Sequence, residues 1–139
     1  MKNLLRIVFL LIMVISFSCE KPLVIVNCDE CTSTEPTDGD LKIKLSDNAG
    51  GGTTIVNIYS GTIEENILIR TLTTTSSETS VSVILKKKYT VTALYYIEGN
   101  YYTAVDSATP VVGYTKSQCT DPCYYLYDNV VNLRLKYTR

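Results

Sequence analysis

The feature that most constrains this chain is the alternation of apolar and polar residues with a period of two. Leu41, Ile43 and Leu45 alternate with lysines, and similar runs recur along the rest of the chain. Successive side chains of a β-strand point to opposite faces, so this spacing is typical of half-buried strands. After residue 20 no stretch has a convincing apolar stripe at helical spacing. The chain is therefore predicted to be all-β.

Seven strands are predicted, and turn residues separate most of them. They cover residues 41–45, 54–59, 67–73, 79–85, 89–97, 101–106 and 130–137, and residues 111–112 and 124–127 could add short strands. The lysine triplet at 86–88 is interpreted as a solvated hairpin turn. Short strands at close spacing favour a single antiparallel seven-stranded β-sandwich.

Tyrosine is the only aromatic residue of the predicted domain. Both phenylalanines lie in the first 17 residues, tryptophan is absent, and the chain has 11 tyrosines. The chain also has no histidine, which removes the commonest general base, the Ser-His-Asp triad and the commonest zinc ligand. No catalytic set is visible, so we expect a protein that is not an enzyme and has no cofactor.

The first 19 residues have the layout of a secretory signal peptide. Lys2 and Arg6 precede an apolar run over residues 7–15, small residues follow, and then comes Cys19. This stretch resembles the lipobox of bacterial lipoproteins. The resemblance implies that the Cys19 thiol receives a diacylglyceryl group and that residues 1–18 are removed. A plain secretory leader with an incidental cysteine is the alternative. A membrane-spanning anchor is disfavoured, because the apolar stretch at 4–17 contains Arg6 and a spanning helix needs about 20 residues.

A lipid on Cys19 would place the protein in the cell envelope. Two or more acyl chains hold a protein stably on a membrane surface without crossing it. Glu20 is not the aspartate associated with inner-membrane retention, which favours the outer membrane, on its periplasmic face or at the cell surface. The expected organisation is a signal peptide at 1–18, a lipidated tether at 19–40 and a β-sandwich domain at 41–139. The processed chain has 11 basic and 14 acidic residues, so no basic field for nucleic acid exists.

Residues 81–95 combine an alternating strand, a short turn and the pattern Tyr-x-Val-x-Ala at Tyr89, Val91 and Ala93. This run resembles the hairpin of transthyretin-like domains, which include the carboxypeptidase regulatory-like domains, and residues 55–59 could match that group's second strand. The resemblance implies a structural module of the kind found in many secreted and outer-membrane bacterial proteins. An immunoglobulin-like sandwich is the alternative fold.

Four cysteines remain in the processed chain after Cys19. They form two close pairs, Cys28 with Cys31 and Cys119 with Cys123. Two such pairs can hold zinc, and a Cys-x-x-Cys can be a redox site. Acidic residues between the first two thiols would disfavour a reactive thiolate, and exported domains commonly oxidise such cysteines. We therefore expect disulfides and no metal.

Bonds that cross between the two cysteine pairs are favoured over local ones. In the chain-entropy model a bond within Cys28-x-x-Cys31 removes only ~2 kcal/mol of unfolded-state freedom. A bond such as Cys31 to Cys119 would contribute ~4 to 5 kcal/mol. The domain lacks large apolar aromatics, so it gains most from bonds that close a long loop.

A predicted tight turn at 98–100 is flanked by tyrosines on both sides. Neighbours on a strand point to opposite faces, so half of these rings must lie outside the core. Tyr96 and Tyr101 are the candidate binding face, a platform for a sugar or a partner protein; cross-strand packing that only stabilises the hairpin is the alternative. Acidic turns at 38–40 and 47–48 offer few of the oxygens that calcium needs.

The predicted function is a non-catalytic envelope lipoprotein that binds or presents something. The partners would be a membrane, through the lipid anchor, and an unknown protein or glycan, with no nucleic acid. One alternative is a subunit of a surface assembly, such as a fibre or export complex, joined through an edge strand. The other is a glycan-binding module.

Overall fold

The computed structural model describes residues 24–47 and 52–136. Within these ranges the protein is all-β, with two single-turn 3-10 helices, Cys28–Glu30 and Ile63–Glu65. The strands are β1 (Asp38–Lys44), β2 (Thr54–Ser60), β3 (Ile67–Thr74), β4 (Glu78–Ile84), β5 (Tyr89–Ile97), β6 (Asn100–Ala108), β7 (Val111–Thr115), β8 (Cys123–Tyr127) and β9 (Val130–Asn132).

The nine strands form three sheets. One has the order β4-β1-β9, a second has the order β3-β2-β5-β6, and β7 pairs with β8 alone. All pairs are antiparallel except β1 with β9, which is parallel. The all-β class is confirmed, and the antiparallel-rich sheets are consistent with a β-sandwich. The expected single seven-stranded form is wrong, because nine strands in three sheets are found in the described ranges.

The two larger sheets share one apolar core. The alternating positions predicted to face inwards do so, and they come from both sheets. The fully buried members include Leu41, Ile43, Val56, Ile58, Val91, Ala93, Tyr95 and Val131. In β1, β2 and β4 every second residue is buried over part of the strand, as expected for half-buried strands, whereas β5 is buried at five consecutive positions and β3 has no fully buried residue. The period-two pattern thus correctly identifies which side chains stabilise the fold by leaving water.

Tyr95 is the largest fully buried side chain. Its hydroxyl donates to the Leu133 carbonyl oxygen at 2.8 Å and accepts from the Ser46 backbone N–H at 3.2 Å. Burial raises the pKa of this phenol above its ordinary value of 10.0, while the hydrogen bonds of Ser46 act in the opposite direction. The buried ring therefore fills the core of a domain without Phe or Trp, and its polar end is satisfied.

The lysine triplet at 86–88 does turn the chain, but the strands on either side do not form a hairpin. β4 ends at Ile84 and belongs to one sheet, whereas β5 begins at Tyr89 in the other. The turn is a corner that carries the chain across the end of the core, from buried Leu85 to buried Tyr89. The hairpin expected for residues 81–95 is therefore wrong.

The C-terminal part also differs from the sequence prediction. The strand expected over residues 130–137 is reduced to the three residues of β9, which pair in parallel with Lys42, Ile43 and Lys44. Val131 and Leu133 are still buried. Short strands do form at 111–115 and 123–127, longer than the two- and four-residue stretches expected.

The segment before β1 is fastened to the body rather than lying free. Thr32 and Tyr124 exchange two backbone hydrogen bonds of 3.0 and 2.8 Å. Glu30 pairs with Lys42 at 2.9 Å, and β1 begins at Asp38, three residues before the predicted strand start. Within the described ranges no helix is long and apolar enough to span a bilayer.

Candidate functional site: an uncharged sheet face and a cysteine cluster

The solvent-facing side of the four-stranded sheet is a continuous surface that we call the outer face. Residues directly opposite each other in the register share a face, so the pairing defines its members. They are Ile55, Asn57, Tyr59, Leu68, Thr71, Thr73, Thr90, Thr92, Leu94, Tyr96, Tyr101, Thr103, Val105 and Ser107. None of these side chains is charged at neutral pH, and all are aromatic, aliphatic, hydroxyl or amide groups.

Apolar side chains on the outer face are accessible to a partner. Leu68 is 51 % exposed, Val105 is 56 % exposed and Ile55 is 40 % exposed. Thr90 and Thr92 lie along the middle of the sheet and are buried. The longer side chains on the neighbouring strands flank these short ones, so the face offers a broad apolar and hydroxyl surface instead of a deep pocket.

The Tyr96 and Tyr101 rings form one end of the outer face. They are directly opposite in the β5–β6 register, with ring centroids 4.9 Å apart and planes tilted by 45°. They are 60 % and 73 % exposed. On the opposite side of the same hairpin, Tyr95 is buried in the core and Tyr102 packs against it. The structure thus places Tyr96 and Tyr101 outside the core.

A two-residue turn fixes the register that places these two rings opposite each other. Glu98 has φ 50° and Gly99 has φ 83°, and Ile97 pairs with Asn100. Two successive residues at positive φ match the hairpin turn whose twist fits that of the strands it joins. A second tyrosine pair, Tyr114 with Tyr124, has centroids 4.9 Å apart and a tilt of 46° but lies on β7–β8. It is a natural internal control for the outer-face pair.

A groove of about 360 Å³ borders the outer face at the end away from the tyrosines, and Ile63, Glu64, Lys88 and Val105 are among its lining residues. A hydrogen bond from its own backbone N–H, then one from Thr62, holds the pKa of the Glu64 carboxyl below its ordinary value. The charged groups of this region thus sit beside the outer face and not on it.

The four cysteines predicted to be oxidised lie together. Cys28 is bonded to Cys119, with Cα atoms 5.7 Å apart, and Cys31 is bonded to Cys123, with Cα atoms 5.5 Å apart. Both bonds cross between the pairs, as the loop-entropy argument favours. A bond from Cys31 to Cys119, the crossed pairing considered from the sequence, is not formed, although those two sulfurs are only 3.9 Å apart.

Local structure explains how the sulfurs meet. Cys28 begins a single 3-10 turn that is capped by the Asn27 side chain, and the Cys31 N–H bonds the Cys28 carbonyl oxygen at 3.4 Å. Cys119 lies in the loop before β8, and Cys123 is the first residue of that strand. The bridge between Thr32 and Tyr124 holds the two segments side by side.

Other candidate residues are not brought into a site. Asp38 and Asp40 lie on β1 instead of in a loop, and the Thr37 hydroxyl donates to the Asp38 carboxylate. Asn48, and Cys19 as the predicted lipid attachment site, lie outside the described residues. The uncharged outer face was missed in the sequence, although the threonines at alternate positions 71, 73, 90 and 92 were its signal.

Comparison of the chain with protein-family models, with curated proteins and with solved structures found no match.

Proposed function

We propose that this chain is a non-catalytic module of the cell envelope, anchored to the outer membrane by lipid on Cys19, that binds a protein partner through the outer face. The observation that carries the binding role is the uncharged, partly apolar outer face with the exposed Tyr96–Tyr101 pair at one end. The anchor rests on the lipobox-like sequence that ends at Cys19.

The chemistry of the outer face favours a protein partner over a sugar. The central parts of protein interfaces are depleted in charge and enriched in tyrosine. Exposed aliphatic groups such as Leu68 and Val105 gain from contact with another apolar surface and can make no hydrogen bond to a sugar hydroxyl. The expected partner is therefore a protein with an apolar, uncharged face of its own.

A site-specific photocrosslinker tests this binding role. A photoreactive phenylalanine analogue replaces Tyr101 in the membrane-anchored protein, and the control carries it at Tyr114. We expect one defined protein adduct from position 101 and none from position 114. The same adduct from both positions, or none from position 101, would contradict a protein-binding outer face.

Affinity for the captured partner provides the quantitative check. Changing Tyr96 and Tyr101 to serine should weaken binding at least roughly tenfold, because truncating a tyrosine that a partner covers costs about 1 to 2 kcal/mol. The melting temperature should barely move, since both rings are exposed. The matched Tyr114→Ser variant should bind normally. A large loss of stability would mean that the rings support the fold, and selective binding to a glycan array would instead favour the glycan alternative.

Anchoring has its own test. The intact mass of wild-type protein purified from membranes should correspond to a chain that begins at Cys19 and carries acyl chains. Cys19→Ala should leave an uncut, unacylated precursor, whereas Cys28→Ala should be processed normally. An unmodified wild-type chain beginning at another residue would refute the anchor.

The assembly alternative is favoured by one separate observation. β3 is an edge strand of the described sheet, and its first three residues, Ile67, Leu68 and Ile69, are each about half exposed. Unpaired edges of this kind can accept a strand from another chain. Proline at position 69 would block such pairing and leave the Tyr96–Tyr101 pair in place, so it separates edge-strand assembly from binding through the outer face.

A further inference from the structure

The two disulfides form one compact cluster of four sulfurs. The Cys31 and Cys119 sulfurs belong to different bonds, yet they lie 3.9 Å apart. The sulfurs of Cys31, Cys119 and Cys123 all lie within 4.8 Å of one another. Cys28 joins the cluster through its bond to Cys119. The fold thus gathers four cysteine sulfurs from two segments that are distant in sequence, since even Cys31 and Cys119 are 88 residues apart.

We propose that this cluster, once reduced, is a four-thiolate zinc site, so that the same cysteines hold either two disulfides or one Zn²⁺. Zinc takes four ligands in a tetrahedron, with Zn–S distances of about 2.3 Å. The edges of such a tetrahedron are about 3.8 Å long. The separation of Cys31 and Cys119 already matches one edge.

The two edges that are disulfide bonds in the oxidised protein require movements of the side chains. An ordinary S–S bond is about 2.05 Å long, so each bonded sulfur pair must open by about 1.7 Å to reach the tetrahedral edge. Rotation about the cysteine side-chain bonds can supply this, because the Cα atoms of the pairs stay 5.7 and 5.5 Å apart. The backbone bonds between Thr32 and Tyr124 hold the segments together independently of the sulfurs.

The exchange between the two states balances in electrons and protons. Two molecules of a dithiol reductant transfer four electrons and four protons to the two disulfides. Each reductant molecule becomes a cyclic disulfide, and the protein carries four thiols. Zn²⁺ then binds the four sulfurs as thiolates, and four protons are released. In the return step two molecules of a disulfide oxidant accept the four electrons and, with four protons from solvent, become dithiols, while the protein re-forms its two disulfides. All four ligands are then lost, so the zinc ion leaves.

The sequence environment agrees with a site of this type. The Cys-x-x-Cys half lies on a single 3-10 turn, with the Cys31 N–H bonded to the Cys28 carbonyl oxygen at 3.4 Å. The other half comes from a loop and the first residue of a strand. Two short-spaced cysteine pairs from separate segments are the usual donor set of a structural zinc site. A zinc ion would therefore occupy the place of the two covalent bonds.

The test uses the chain from residue 20 to residue 139, produced without the signal peptide and without Cys19. It is reduced with a phosphine under anaerobic conditions, incubated with zinc sulfate and passed through a desalting column with a weak chelator. We expect one zinc per chain by elemental analysis, and visible absorption of tetrahedral thiolate coordination when cobalt replaces zinc. We also expect a higher melting temperature for the zinc form than for the reduced, metal-free form. The untreated, oxidised protein should retain none.

Two variants make the result decisive. Cys28→Ser removes one ligand from the four and should lose the zinc during desalting. A double variant, Cys119→Ser with Cys123→Ser, keeps only the local Cys-x-x-Cys and should lose it as well. Retention of zinc by either variant would overturn the four-cysteine site. Failure of the reduced wild type to take up zinc would overturn it too, and so would a reduced chain that unfolds and is not refolded by zinc.

Discussion

Removing the disulfides one at a time should give strongly non-additive losses of stability. Alone, either bond closes a loop of about the whole domain, since the sequence separations are 91 and 92 residues. The chain-entropy model assigns about 4 to 5 kcal/mol to such a loop. When one bond is already present, the second closes only a short loop. This loop runs from Cys28 to Cys31, across the existing bond, and between Cys119 and Cys123. That second closure contributes about 2 to 3 kcal/mol.

The expected pattern follows because one bond keeps the large loop closed when the other is removed, an arrangement that we call nested loops. Cys28→Ala with Cys119→Ala should cost about 2 to 3 kcal/mol, and Cys31→Ala with Cys123→Ala should cost a similar amount, because each variant keeps the large loop closed. Losing both bonds should cost about 7 kcal/mol, which is comparable with the whole stability of a small domain. As long as one bond remains, removing the other therefore costs less than half of the combined loss.

Urea unfolding, with a chelator present, measures these losses. Each oxidised protein is compared with its own reduced form, so that the effects of the replaced side chains cancel. That difference should be about 7 kcal/mol for the wild type and about 4 to 5 kcal/mol for each single-pair variant, and the loss on removing a bond is the wild-type difference minus that of the variant. The slope of free energy against urea should also rise as bonds are removed, because the unfolded chain becomes more open. Two single-pair losses of about 4 to 5 kcal/mol each, adding to the combined loss, would refute the nested-loop reasoning. So would a combined loss no greater than either single one.

Two further outcomes can be checked directly. The raised pKa of the buried Tyr95 phenol means that the folded state holds its proton more tightly, so this contribution to stability is complete below pH 10 and is lost as the pH rises further. In urea titrations Tyr95→Phe should reduce that alkaline loss of stability. At neutral pH it should cost about 1 to 3 kcal/mol, because the Ser46 N–H and the Leu133 carbonyl lose their partner. An unchanged dependence of stability on alkaline pH would contradict the assignment of this effect to Tyr95. Gly99→Ala should cost about 1 to 2 kcal/mol in thermal unfolding. The φ angle of Gly99 is 83° and no atom lies within 4 Å of the new methyl group, so only backbone strain acts. An unchanged stability would show that the turn rearranges freely.

The sequence was a good guide to which residues are buried and a poor guide to which strands are neighbours. Alternation identifies the buried side of a strand because side chains alternate strictly along it. It carries no information about the strand alongside. Val83 and Val91 are both buried, and nothing in their spacing shows that they belong to opposite sheets. The corner at Lys86 was therefore mistaken for a hairpin.

The same limit applies to the candidate sites. The entropy of loop closure favours crossed disulfides, but the choice of Cys28 with Cys119 over Cys28 with Cys123 depends on how β8 lies against the N-terminal segment. Tyr96 and Tyr101 could be placed on the outside by alternation within one hairpin. The absence of charge over the whole outer face emerges only after β2, β3, β5 and β6 are set side by side.

The crossed disulfides also decide what a protease can achieve. All of the strands from β1 to β7 lie between Cys31 and Cys119, so a single cut in any loop between those residues leaves both fragments joined covalently. The C-terminal strands would remain attached to the N-terminal segment, and hence to whatever that segment is attached to. Release of a fragment needs two cuts, or one cut followed by reduction. A nicked molecule would therefore keep its place and, where the sheets hold together, its shape.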